Sequence, residues 1–145
     1  LLNESDLIEI LRKNDFEIIN PNHFEILDQM KIFSNSELII SPHGSNLTNL
    51  IFCNNSTKIF EISPKFNKPY EVNIADRYKN LSELCNISYT KVIADTVDVT
   101  DHSKIASKYI NKNVLEESNY YKNLILKVSE IEKLINNLQT DNLIY

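Results

Sequence analysis

Glycine is nearly missing from this chain. At a usage of about 7%, a protein of this size carries roughly ten, yet among 145 residues there is one, Gly44. Basic residues are not in excess either: net charge is −5 and the pI about 5.2. No global positive field favours nucleic acid, and no local run of Lys and Arg forms a polybasic patch. The two cysteines, Cys53 and Cys85, stand far apart without CxxC spacing or neighbouring histidines, so a zinc site of four soft ligands is not supported. They read as buried free thiols, with a long-range disulfide as the alternative. No apolar run approaches the roughly 20 residues of a membrane-spanning helix. No signal peptide opens the chain, and the first residues read as the interior of a domain, so a fragment of a longer protein is expected.

A hydrophobic share of 42% against 24% charged residues can support one globular core rather than a disordered chain. The Asn-x-Ser/Thr triplets at Asn46 and Asn86 follow from heavy asparagine usage. Short β-branched runs alternate with helical stretches, which predicts an α/β fold with a mostly parallel sheet and a single domain over 1–145. "NESDLIEILRKN" sets Leu7, Ile8 and Leu11 on one helical face, with Asn3 or Ser5 as N-cap. "FEIIN" reads as a short strand closed by Pro21. Asn22 and Glu25 form a capping-box-like start for "HFEILDQMKIFSN", with Phe24, Leu27, Met30 and Phe33 inward. "ELIIS" has the continuous apolar character of a strand covered on both faces. "TKIFEISP" and "ISYTKVIADTV" are further strands, with helix-like "YEVNIADRYKNLSELCN" between them. Towards the end, "SKIASKYIN" reads as a short helix, "NLILKV" as a strand, and "SEIEKLINNL" as a helix capped by Ser129.

The chemistry-bearing stretch is "LIISPHGSNLTNLIF", residues 38–52: a buried strand, a bend and a helix start. In open parallel sheets ligands bind beyond the carboxyl ends of the strands. The amides of Gly44, Ser45, Asn46 and Leu47 would project there and, with the helix dipole, favour an anion such as phosphate. Gly44 permits a positive φ and leaves no Cβ in a ligand's way. His43 offers a hydrogen bond to a phosphate or sugar oxygen, and Asn49 lies one turn beyond Ser45. A plain structural turn fits the same residues equally well. Ser45 as a nucleophile lacks the second glycine of a nucleophile elbow and is better placed as a helix cap. Glu61 interrupts the apolar "KIFEIS"; a carboxylate near a strand end either pairs with a cation or faces the crevice and accepts ribose hydroxyls. His23 and His102 read as solvated loop residues.

Taken in order, these pieces resemble glycosyltransferase family 61. The matching elements are Asn3-Glu4, Gln29, His43-Gly44 with Leu47-Thr48-Asn49 and Phe52, and Glu61 with Pro64, covering roughly residues 1–95. Ser45 replaces the usual small residue conservatively, whereas Asn46 stands where glycine or another small residue is common. The arginine-containing strand that usually precedes the "NE" element is absent, because the sequence begins too late to include it. The resemblance implies the Rossmann-like, three-layer, donor-binding C-terminal half of a GT-B enzyme. It implies inverting transfer from a nucleotide sugar, commonly a UDP-sugar, with no metal required. His43, Gly44, Ser45 and Asn46 would surround the diphosphate, Thr48 and Asn49 would support the loop or touch the sugar, and Glu61 would hold the ribose. The base for the acceptor hydroxyl is expected from an N-terminal, acceptor-binding half of the same protein, without which this piece is expected to be inactive; no catalytic residue is assigned. Polysaccharide or glycoprotein glycan synthesis is the expected setting, in the cytoplasm, or in the secretory lumen if the longer protein carries an N-terminal anchor. Two other readings remain: a binding or scaffold module that keeps the fold without turnover, and an unrelated α/β interaction domain that uses the bend as a turn.

Overall fold

The computed structural model describes residues 1–66, 71–97 and 123–141. Four strands form one sheet in the order β1 (Leu38–Pro42), β2 (Lys58–Pro64), β3 (Ser88–Val97), β4 (Asn123–Ile125). β1, β2 and β3 are parallel, and β4 runs antiparallel to the end of β3. The expected mostly parallel α/β sheet is therefore present. Helices α1 (Glu4–Lys13), α2 (Ile26–Asn35), α3 (Val72–Ala75), α4 (Arg77–Leu84) and α5 (Val128–Asp141) surround it, together with 3-10 helices at Pro21–His23 and Ser45–Phe52.

The pleat of β2 sorts its side chains between two cores. Phe60 and Ile62 pack with Val92 and Ala94 against Leu7 and Leu11 of α1 and Ile131 and Ile135 of α5. On the opposite face Ile59 packs with Phe33 of α2, Leu47 and Leu50 of the long 3-10 helix, Tyr78 of α4 and Ile87. Helix, sheet, helix gives three layers. A reciprocal clasp ties the start of α1 to the strand at the far end of the sequence. The Asn3 side chain donates to Leu126 C=O (2.8 Å) and accepts from Leu126 N–H (3.1 Å), while Leu2 N–H donates to Leu124 C=O (2.8 Å). Asn3 occupies the N-cap position, yet its side chain makes no capping bond because the clasp uses both ends of its amide.

Several local expectations are overturned. Residues 16–20 form no strand. A groove of about 680 Å³ separates Ile18 and Ile19 from Ile39 and Ile40 at the β1 edge, so this stretch has no ladder to join. The Asn22–Glu25 capping box is absent: Asn20 accepts from Asn22 N–H at the Pro21–His23 turn, and α2 begins only at Ile26. With that later start Phe33 is buried, whereas Phe24 and Leu27 are exposed. The long helical stretch after Tyr70 is broken at Asp76 into α3 and α4. α5 begins at Val128, which puts Ser129 inside the first turn rather than at its cap. "SKIASKYIN" and His102 lie outside the described residues. Both cysteines are free and half-buried.

Candidate functional site

The bend after β1 is held to the sheet by one bond beyond the regular ladder. Pro42 has no N–H to give, and the next amide, His43, donates to Ile62 C=O at 2.7 Å. The chain then leaves β1 through Gly44 and enters the Ser45–Phe52 helix. Gly44 sits at φ 173° and ψ 169°, extended backbone open to any residue, so the expected positive φ is not there. Left-handed positions do occur at Asp15 (φ 61°), just after α1, and at Asn86 (φ 54°), just after α4; both residue types tolerate that region and replace the usual helix-ending glycine. A Cβ built on Gly44 would meet only Pro42 C=O, at 3.9 Å, an ordinary contact. Neither backbone torsion nor packing among the described residues demands glycine here.

The helix that follows is 3-10, with three residues per turn, and this rearranges the expected faces. Leu47 and Leu50 eclipse one another and are fully buried, while Ile51, expected beside them, is exposed with Ser45 and Thr48. Leu47 N–H already donates to Gly44 C=O (3.0 Å), which removes it from the predicted anion-facing set. Gly44, not Ser45, is the N-cap. Asn49 aligns with Asn46 rather than Ser45; its side-chain amide donates to Gln29 Oε1 at 2.8 Å, and Gln29 in turn donates to Phe24 C=O at 3.0 Å. Two residues of the sequence pattern, twenty positions apart, are thus brought into contact and latch the helix to α2.

Below the bend lies a buried polar trio. Glu61 sits in the middle of β2, not near its end, and is wholly buried. Its Oε1 accepts from His43 Nδ1 at 2.5 Å, and its Oε2 accepts from the Tyr89 hydroxyl at 2.7 Å. The His43 ring is itself 3% exposed, with Phe66 and Tyr78 edge-on at centroid distances of 5.4 and 5.1 Å. Burial, followed by the Glu61 carboxylate and the charge of Asp76, pushes the Tyr89 phenol far above its ordinary value, so it stays a donor. Lys91 pairs with Glu61 in the β2–β3 register and therefore shares its face of the sheet. Its Nζ is held by Ala75 C=O and by Asp76 Oδ1 at 3.2 Å.

Of the residues expected at the site, His43 and Glu61 are in direct contact, Gly44, Ser45 and Asn46 form the bend above them, and Asn49 faces Gln29. Thr48 is turned outward. Tyr89 and Lys91 were not anticipated. The signal was the pair Tyr89 and Lys91 two positions apart in "SYTKV", on one face of a strand, but only the strand register puts them beside Glu61.

Residues 1–60 match the family described as Glycosyltransferase 61, which bears out the resemblance over that stretch. The chain is also similar to the EGF domain-specific O-linked N-acetylglucosamine transferase of Drosophila melanogaster, 32% identical over 92 residues. That alignment covers 61% of this chain and 16% of the relative, so the chain spans about one sixth of that protein's length. No solved structure matches the chain.

Proposed function

From the glycosyltransferase 61 pattern in residues 1–60, we propose that this chain is the nucleotide-sugar-binding part of a glycosyltransferase. In this reading it is the donor half of a GT-B enzyme, working with an acceptor-binding half of the same protein. The donor is a UDP-sugar and the acceptor a glycan or protein hydroxyl. The observation that carries the reading is the bend itself. It lies beyond the carboxyl end of a parallel strand, where α/β sheets receive ligands, and its glycine answers to no packing or torsion demand among the described residues. A residue without a side chain is then explained by close approach from outside, as a diphosphate lying against the amides of Gly44, Ser45 and Asn46 would require. Those amides precede the first 3-10 bond, and His43 is the residue immediately before them.

Leaving-group stabilisation in this reading comes from backbone amides and His43 rather than from a metal, and inversion follows from a single displacement by the acceptor hydroxyl. The ribose role that the resemblance gives Glu61 requires exchange of one of its two buried hydrogen bonds. Glu61 is better suited to hold His43.

Calorimetric titration with UDP and UDP-sugars, with and without EDTA, tests the proposal. We expect binding that EDTA leaves unchanged. Gly44→Ala should weaken it at least tenfold, equivalent to about 1.4 kcal/mol, with the thermal midpoint preserved because the added Cβ makes only an ordinary contact with Pro42 C=O. Failure of the folded full-length protein to bind any UDP compound would sink the donor site. The near-complete burial of His43 and Glu61 favours one second reading, a module that binds nucleotide without turnover. Binding by the full-length protein without sugar transfer to any acceptor would single it out.

A further inference from the structure

The trio beneath the bend has a direction. A carboxylate only accepts hydrogen bonds, so the Glu61 oxygen 2.5 Å from His43 Nδ1 requires the ring hydrogen on Nδ1. The second carboxylate oxygen is occupied by the Tyr89 hydroxyl at 2.7 Å. Without that donor the Glu61 side chain could rotate about its terminal torsion, which has broad minima. With it, both oxygens are fixed and Oε1 is held against the imidazole. We infer that Tyr89 and Glu61 are positioning residues that lock His43 in the Nδ1–H tautomer, which makes Nε2 the acceptor nitrogen of the ring.

The hydrogen bond made at one ring nitrogen sets the protonation of the other. In a neutral ring so locked, Nε2 is the acceptor. The three residues come from three places: the bend after β1, the middle of β2 and the start of β3. The lock therefore exists only once the parallel sheet has its register. Tyr89 lies beyond the 60 residues that carry the family match and far from the bend in sequence. The raised titration of the Tyr89 phenol keeps it a donor across the neutral range. What the lock does for a diphosphate rests on the function proposed above; the lock itself does not, and it is measured without nucleotide.

The test is nitrogen-resolved NMR of the histidine rings in the intact protein, with His43 assigned by its loss in His43→Gln. The wild type should show His43 protonated at Nδ1. Glu61→Gln reverses the requirement: with Tyr89 donating to the amide oxygen, the amide NH₂ is turned to Nδ1, and the ring hydrogen should move to Nε2. Adding Tyr89→Phe to Glu61→Gln frees the amide to rotate, and the Nδ1–H signal should partly return. Tyr89→Phe alone should keep the fold and the Nδ1–H form but show a second ring environment. It should also weaken UDP binding by about tenfold, as expected for loss of one hydrogen bond to a charged group. A wild-type His43 carrying its hydrogen on Nε2, or ring signals indifferent to both substitutions in folded protein, would overturn the inference. If the ring behaves as described and UDP still fails to bind, the lock stands and the donor reading falls.

Discussion

Single residues in this protein carry roles that composition hides. Gly44 is the clearest: the left-handed positions where glycine is ordinarily needed are filled by Asp15 and Asn86, and the one glycine stands where the fold would accept a side chain. The positive φ expected from the sequence is absent, because φ at a bend depends on how the strand ladder ends, here at the His43–Ile62 bond. Cys53 has a different consequence. It is half-buried in the second core, and that burial pushes its thiol from an ordinary value near 9.0 up to about 11. Between those values the unfolded chain loses a proton that the folded one keeps, so stability falls as pH rises through this window. Cys53→Ala should therefore show a shallower loss of stability between pH 9 and 11, measured by urea unfolding at a series of pH values. An unchanged slope would mean that the thiol is solvated in the folded state.

Elements divide into those that local pattern specifies and those that need a partner. β1 to β3 were legible because short, dense β-branched runs have few other homes, and β2 is buried along nearly its whole length. Residues 16–20 have the same composition and no strand, since a strand exists only beside another and a groove lies on that side. The Ser45–Phe52 helix was legible as a helix but not as a 3-10 one. The tighter winding rotates Ile51 out and Asn49 towards Gln29, a difference no residue preference encodes. That Gln29–Asn49 bond is the link by which α2 steadies the helix leaving the bend. Gln29→Ala and Asn49→Ala should each cost about 1 kcal/mol, and the double variant less than their sum, since one bond is lost only once. Thermal unfolding of the four proteins gives the coupling; strict additivity would show that the bond contributes nothing.

At the scale of the whole molecule, the three layers follow from one alternation along β2, with Phe60 and Ile62 on one side and Ile59 and Glu61 on the other. The apolar half of that pattern was readable; the pairing of Glu61 with His43 and Tyr89 was not, because it depends on the registers of two crossovers. The layer built from α1 and α5 joins opposite ends of the sequence, and Asn3 is its fastening. Asn3→Ala removes two partly buried bonds to Leu126 and should cost about 1–3 kcal/mol. Amide hydrogen exchange should speed up in α1 and α5 together while the β2 amides stay protected. Faster exchange in α1 alone would show that the two helices open independently. The clasp also sets an order of events during synthesis. α1 is made before the sheet it packs on, but its Leu7 and Leu11 stripe has no complete seat until residue 126 and the helix after it have emerged. The β1–β2–β3 core closes over shorter separations and so has the head start. A helix made before the sheet it packs on is thus among the last elements to settle, and until then its apolar face is where a chaperone would find this chain.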